Sequence, residues 1–532
     1  MRGGRCSRGV VVAVAWAFAW GSARPALAVE ITAIETVALS TDTAPGAGVP
    51  YTLFSRAWLN DAGELLFYGT VSGGAAGLWW WTGSGDPSAV ALTGMDAPVL
   101  GPAQLESIDS SDTWAGARGP AFFGTLADGG GVTSENDEVA YGSDGGGALA
   151  VIAREGASAP GAGTQTFGAQ LIGANYGSSS DFGMVFANRT ELAGGGFGNR
   201  SLWRQSGATA TLLAIEDDTA PGVPGGAMID FRGSVVNDLG VTVTWVRVNT
   251  VGRALYSFSD DAPLLLALEG EPAPGTAADF QSITEDPAEL GINDAGDYAF
   301  RSGLSDGRSA VFGPDAGGGT RLLLRSTDPA PGTATAVFAA PSHLALAADG
   351  SMVIEAFLQT DVGGTTSATD FGLWGSAGYG PLELVARQGD RPTGLPAGAR
   401  FDAFQRWELN GAGQVILGAT YFPPASGVAE DGLWHHDLYT GTTSLLLRKG
   451  DVVEIAPGDS RTINFITAGR RASGGQDGKG QAWNDAGQLA AALTFGDGSR
   501  GVFRLTVPEP ASGAALTALA ALVALASRRA PA

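Results

Sequence analysis

The tetrapeptide Asn-Asp-Ala-Gly stands at 60–63, again at 293–296 and again at 484–487. The same four residues, hundreds of positions apart, require the same local structure to recur. Variants extend the series: NDLG at 237–240, NGAG at 410–413, AADG at 347–350, SDFG at 180–183 and NDEV at 136–139. Each is followed by a short strand pattern, such as ELLFYGTV (64–71), DYAFRSGL (297–304) or QVILGATYF (414–422). Asn and Asp side chains accept backbone hydrogen bonds at a turn, and Gly enters the left-handed region without a Cβ clash. Asn60 and Gly63, Asn237 and Gly240, Asn293 and Gly296, Asn410 and Gly413, and Asn484 and Gly487 are therefore read as structural hairpin turns.

Three further motifs travel with the turn. Ala-Pro-Gly precedes it at 44–46, 159–161, 220–222, 273–275, 330–332 and 456–458, with looser forms at 96–101 and 390–398. An aromatic strand pattern follows, as in GLWWW (77–81), SLWR (201–204) and GLWHH (432–436). An aliphatic one comes last, as in LLLALEG (264–270) and LELVARQGD (382–390). Ala44 to Ala456 spans seven intervals of roughly 59 residues, a period typical of repeat architectures.

Four short strands per unit, arranged radially, make a β-propeller blade. The eighth unit ends at GVFRLTV (501–507) without a fourth strand, whereas the chain carries a spare strand, EITAIETVALSTD, at 30–42. The expected fold is thus all-β: a propeller of about eight four-stranded blades, the last completed by the N-terminal strand. Seven blades or two smaller β domains are the alternatives, because unit 2 is irregular. Two long segments, 109–135 in unit 2 and 468–481 in unit 8, read as insertions. They flank unit 1, and recognition loops rising on one side and mobile decoration are the two readings of them.

The two ends read as processing signals. Arg2, Arg5 and Arg8 precede an apolar run at 10–20, and Ala26 and Ala28 form an A-x-A site, so residues 1–28 are expected to be a signal peptide. The single cysteine, Cys6, lies within it. The repeat domain is assigned to 29–507, with neither disulfide nor thiolate site. At the other end, Pro508, Glu509 and Pro510 precede an apolar or small run at 511–527, then Arg528 and Arg529. This order resembles the PEP-CTERM sorting signal of Gram-negative bacteria, over 508–532. The resemblance implies cleavage by an exosortase-type enzyme, a transient or permanent C-terminal membrane anchor, and delivery to the cell surface, outer membrane or extracellular exopolysaccharide matrix. The repeat region is also similar to tandem-repeat surface proteins of the NxxGxxAF type: NDAGDYAF (293–300) matches with one extra residue before the Phe. That family carries no established activity.

The net charge is −23, which argues against nucleic acid as a partner. No catalytic motif emerges: no H-E-x-x-H, P-loop, C-x-x-C or G-x-S-x-G. His343 is isolated; His435 and His436 are adjacent and must point to opposite faces of a strand, so no zinc site is expected. Acidic groups recur at Asp217 and Asp218, at Asp260 and Asp261, and at Glu135, Asp137 and Glu138. Turns rich in Asp and Asn suit calcium better than other cofactors, and otherwise none is expected. The reading is a non-catalytic exported surface or matrix protein binding exopolysaccharide, other glycan or a surface protein. A secreted glycan-active enzyme with acidic residues at the channel and a purely structural matrix protein are the alternatives.

Overall fold

In the computed structural model, placement is described for residues 30–507, except 117–118, 170, 172–178, 181–182, 194, 260–261, 425, 470 and 474–478. The signal-peptide residues, including Ala26 and Ala28, and the sorting signal, including Pro508, Glu509, Pro510, Arg528 and Arg529, lie outside the described residues. No described helix is long and apolar enough to cross a membrane.

Eight mainly antiparallel sheets follow one another along the chain. Together they form an eight-bladed β-propeller. The inner strands are Tyr51–Leu59, Leu105–Gly116, Ser179–Ser180, Met228–Val236, Phe280–Ile283 continued by Leu290–Ile292, Phe338–Leu346, Arg400–Leu409 and Asp459–Ala468, for blades 1 to 8. Blade 8 is completed from the opposite end of the chain. Strand Ala33–Leu39 pairs antiparallel with Arg500–Thr506, from Ala33 opposite Thr506 to Leu39 opposite Gly501. The expected clasp is present, and it closes the ring.

The repeated motifs are the joints of each blade. In the Asn60 turn, Asn60 N donates to Glu64 O and Gly63 N to Asn60 O, at 3.0 Å each, with Gly63 at φ +79°. This is a three-residue hairpin loop ending in a left-handed Gly. Ala-Pro-Gly carries the chain from the outer strand of one blade to the inner strand of the next. Its Pro carbonyl accepts from the aromatic strand of its own blade: Trp79 Nε1 to Pro45 O at 3.0 Å, Tyr256 Oη to Pro221 O at 2.8 Å, Trp374 Nε1 to Pro331 O at 3.0 Å. In the looser form at 390–398, Trp434 Nε1 donates to Thr393 O at 3.0 Å. An indole N–H buried in a sheet interface needs such a partner.

The Gly of this motif is pressed onto the fourth strand. Gly332 has φ +75°, and a Cβ there would lie 2.5 Å from Cβ of Leu384. Gly332→Ala is expected to cost more than about 2 kcal/mol, from strain and overpacking together. Urea denaturation measures it; an unchanged midpoint would contradict this account of the motif.

Between blades the cores are continuous. Trp58, Leu66 and Leu78 of blade 1 pack with Trp114, Phe122 and Tyr141 of blade 2. Phe404 and Trp407 of blade 7 pack with Val353 and Leu373 of blade 6. Such apolar, close-packed faces hold the blades as one body.

Unit 2 departs from the expected reading. Residues 109–135 are not an insertion: they contain the end of the inner strand Leu105–Gly116 and the whole second strand Gly119–Leu126. The first two strands pair up to Gly116 opposite Gly119, and NDEV (136–139) runs into the third strand, Glu138–Ser143. The cause is a bulge between Asp109 and Thr113, which breaks the alternation that marks a strand. Segment 468–481 does not simply rise as a loop either. Its residues Arg471–Ser473 form a strand parallel to blade 7, opposite Trp407 and Glu408. That edge of the blade 7 inner strand faces the channel, so the strand Arg471–Ser473 extends blade 7 inward.

Candidate functional site

The turns converge on one mouth of the central channel. Asn60, Asn237, Asn293, Asn410 and Asn484 are fully buried, and each reaches the next blade. Asn410 Nδ2 donates to Asn484 O at 3.3 Å, Asn484 Nδ2 to Asn60 O at 3.0 Å, and Asn60 Nδ2 to Gly116 O at 3.1 Å. Across the ring, Asn237 Nδ2 donates to Asn293 O at 2.9 Å and Asn293 Nδ2 to Ala347 O at 3.2 Å. The repeated Asn is thus an inter-blade tie as well as a turn residue.

The following Asp forms an acidic rim. Asp294 Oδ1 accepts from Asp238 N at 2.9 Å, and Asp485 Oδ1 from Gly411 N at 2.5 Å. Burial, followed by the Asp61 charge, pushes the Asp485 carboxyl up to about 6, and Asp349 and Asp294 add to the rise. Burial raises Asp294 as well, and the Asp61 charge adds to it. Among the described residues, no group of three or more His, Cys, Asp or Glu is placed to hold a metal ion. A carboxyl raised in the folded state favours folding most where it is protonated, so stability is lost as pH rises from about 4 to 6. Asp485→Asn keeps the acceptor and removes the charge. It is expected to add about 2 kcal/mol at pH 7.5 and nothing near pH 4. Melting curves at the two pH values test this, and a gain of equal size at both would refute the electrostatic origin.

The histidines are structural or held. His435 stacks edge-on against Trp483 at 6.4 Å, and His436 Nδ1 meets Thr443 Oγ1 at 2.8 Å. They do face apart, and burial pushes each down to about 4, so both are neutral at pH 7. His343 is not isolated. It lies in a bulge of the blade 6 inner strand, between Pro341 and Leu344, with Nδ1 2.8 Å from Glu355 Oε1. Glu355 is fully buried and also accepts from Ser342 Oγ at 2.7 Å and Trp407 Nε1 at 3.0 Å. A buried carboxylate that orients an imidazole is the support found behind many reactive or ligating histidines.

The other acidic groups make local contacts. Asp218 Oδ2 caps Ile215 N at 2.9 Å, and Asp217 occupies a left-handed turn position at φ 74°. Asp260 and Asp261 lie outside the described residues. Asp137 and Glu138 approach Glu155, whose carboxyl is pushed up to about 7 by burial and by a hydrogen bond with Asp137.

Beyond the acidic rim, two adjoining cavities run along the inner strand of blade 8. The first, of about 310 Å³, is lined by Arg56 and Ala57 of blade 1, Gln405 and Arg406 of blade 7, and Thr467 of blade 8. The second, of about 360 Å³, shares Gln405, Arg406 and Thr467 and continues to Leu53, Phe465 and Arg500. Phe465 is 45% exposed. Arg56 and Arg406 hold equivalent places: each lies just past a bulge, after Phe54 or Phe404, and four residues before a turn Asn. The signal was in the sequence, as RAWLN (56–60) and RWELN (406–410). The pattern is inconspicuous because the turn chemistry lies in the residues from the Asn onward.

A family model for a family of unknown function, DUF7453, matches residues 27–185 and 246–514, most of the chain. The chain belongs to the DUF7453 family. No curated protein matches it. Among solved structures, this DUF7453 chain is similar to one titled "Structure of Dos1 propeller", at 10% identity, covering 90% of this chain and 96% of that one, with a TM-score of 0.38. An oligogalacturonate lyase in complex with manganese matches at 10% identity over 90% and 99% of the two chains, TM-score 0.36. A fucose-specific lectin from Aleuria aurantia matches at 14% identity over 64% and 96%, TM-score 0.24. The DUF7453 match assigns no residue a role, so the site rests on its own geometry.

Proposed function

We propose that the protein is a non-catalytic, exported surface or matrix protein that binds glycan or a protein partner at its channel. Export and exosortase-type processing are part of this reading and rest on the sequence of the two ends. The observation that carries the binding role is the pair of cavities along blade 8. They combine hydrogen-bond donors at Arg56, Gln405 and Arg406 with the exposed ring of Phe465. A concave site with a few convergent polar groups and an apolar platform is a common form of small-ligand site. The surrounding ring is tied blade to blade, so the site is preorganised.

The test is binding of the purified full-length protein to an array of bacterial exopolysaccharides and surface proteins, with and without calcium, scoring bound ligand and released sugar. Binding without release supports the proposal, and dependence on calcium would make the Asp turns ligands. Released sugar would overturn it in favour of a glycan-active enzyme. One observation favours that second reading, the His343–Glu355 pair at 2.8 Å, so loss of release in His343→Gln would then locate the chemistry.

A further inference from the structure

Several arginines of the blades have carboxylate partners. Arg232 of blade 4 meets Asp230 Oδ2 at 3.2 Å and Glu285 Oε2 at 3.3 Å. Arg301 meets Glu289 Oε1 at 2.7 Å, and Arg504 meets Glu35 Oε2 at 2.5 Å. Arg56 and Arg406 are held by carbonyls instead, as Arg321 and Arg500 are. Arg56 Nη1 donates to Ser110 O at 2.6 Å, and Arg406 Nη1 to Gly469 O at 3.0 Å. Those carbonyls orient the two guanidinium groups without neutralising them. Each keeps further N–H donors, since a guanidinium has five.

The two charges share one cavity, with the hydroxyl of Thr467 and the amide of Gln405 beside them. Burial lowers the Arg406 pKa, and the Arg56 charge lowers it further. Glu408 is close enough to oppose this, but its Oε2 accepts from Ala482 N and Trp483 N at 2.8 Å each. Two half-buried like charges, left side by side in a chain of net charge −23, work against folding unless a ligand anion meets them. Beyond them, the exposed Phe465 and Leu53 offer an apolar face in the second cavity.

We infer that the cavity between blades 7, 8 and 1 takes an acidic glycan, with a sugar carboxylate bridging Arg56 and Arg406 and a neighbouring ring lying on Phe465. This deepens the binding role proposed above and rests on it. Guanidinium groups bind carboxylates through paired, charge-assisted hydrogen bonds, which a neutral hydroxymethyl group cannot replace.

Calorimetry on the full-length protein at low salt tests it, with a uronate tetrasaccharide and its carboxyl-reduced counterpart as probes. The uronate is expected to bind at least about tenfold more tightly than the reduced sugar. Arg56→Gln and Arg406→Gln are each expected to lose about tenfold or more for the uronate, and Arg406→Lys to lose less, since it keeps the charge without the fork. Arg232→Gln, on the neutralised side of the ring, is expected to bind as the parent does. A melting transition near that of the parent qualifies each variant, and Arg406→Lys carries the test if the Gln variants do not fold. Equal affinity for the two sugars, or variants that bind the uronate as the parent does, would overturn the inference and leave the binding role standing. Failure to bind the uronate, with binding to neutral polysaccharide retained on the array, overturns the inference alone. Failure on every probe removes both.

Discussion

A chain beginning at Ser40 is expected to lose its cooperative fold, not merely one strand. The deletion removes Ala33–Leu39 from the edge of blade 8 and with it the pairing to Arg500–Thr506. Half a dozen ladder positions at about 1 kcal/mol each come to roughly 6 kcal/mol, comparable to the whole stability of an ordinary domain. Also lost are the bond from Thr36 Oγ1 to Ile455 O at 2.6 Å and the partner of Arg504, whose Nε lies 2.5 Å from Glu35. Val37 and Ala38 leave the core shared with Phe67, Trp79 and Val502. The freed strand Arg500–Thr506 becomes an unpaired edge, which invites association. Thermal melting and light scattering check this. A synthetic peptide of residues 30–42 is expected to restore the transition when added to the truncated chain. A truncated chain that melts as the parent does would show that the ring closes some other way.

The second large effect is expected at Asn484. Asn484→Ala removes three bonds at once: Nδ2 to Asn60 O at 3.0 Å, Nδ2 to Gln488 Oε1 at 3.1 Å, and Gln488 N to Oδ1 at 2.9 Å. Asn484 is fully buried, so the groups left behind have no water to turn to. The loss is expected to be about 3 kcal/mol, seen as a lower urea midpoint. Asn484→Asp separates the two roles. It keeps the acceptor that shapes the turn and loses the donor that reaches blade 1. If the inter-blade tie matters, Asp is expected to be nearly as damaging as Ala. Parent-like stability for Asp would mean that only the turn matters.

How far the fold was legible depends on where each motif's constraint acts. Asn60 to Gly63 declares a turn because the constraint is local: a left-handed position and a side chain that bonds its own backbone. Ala-Pro-Gly was readable as punctuation, but its bond to an aromatic residue some 35 residues later, Trp79 to Pro45, was not, because it is made across the blade. Unit 2 was misread because the bulge between Asp109 and Thr113 gives a strand the polar run of a loop. The clasp could be read because a missing strand at one end matched a spare strand at the other. At the site, His343 looked isolated because Glu355, which fixes it, comes from the facing strand. Arg56 and Arg406 share a local pattern, but only ring closure brings positions 350 residues apart to one cavity. Periodicity reports what a strand does within its blade and is silent on what meets at the axis.

The clasp also sets an order in time. Its two strands are joined by contacts such as Arg504 with Glu35, 469 positions apart in the chain, so the first strand to emerge during synthesis must wait for the last. Blades 1 to 7 draw their four strands from neighbouring sequence and can form as the chain appears, whereas closure is a late, long-range event of the kind that slows folding. Until it happens, both Ala33–Leu39 and Arg500–Thr506 present open edges. An interval of vulnerability is therefore built into the topology, and it ends only when the complete chain is available.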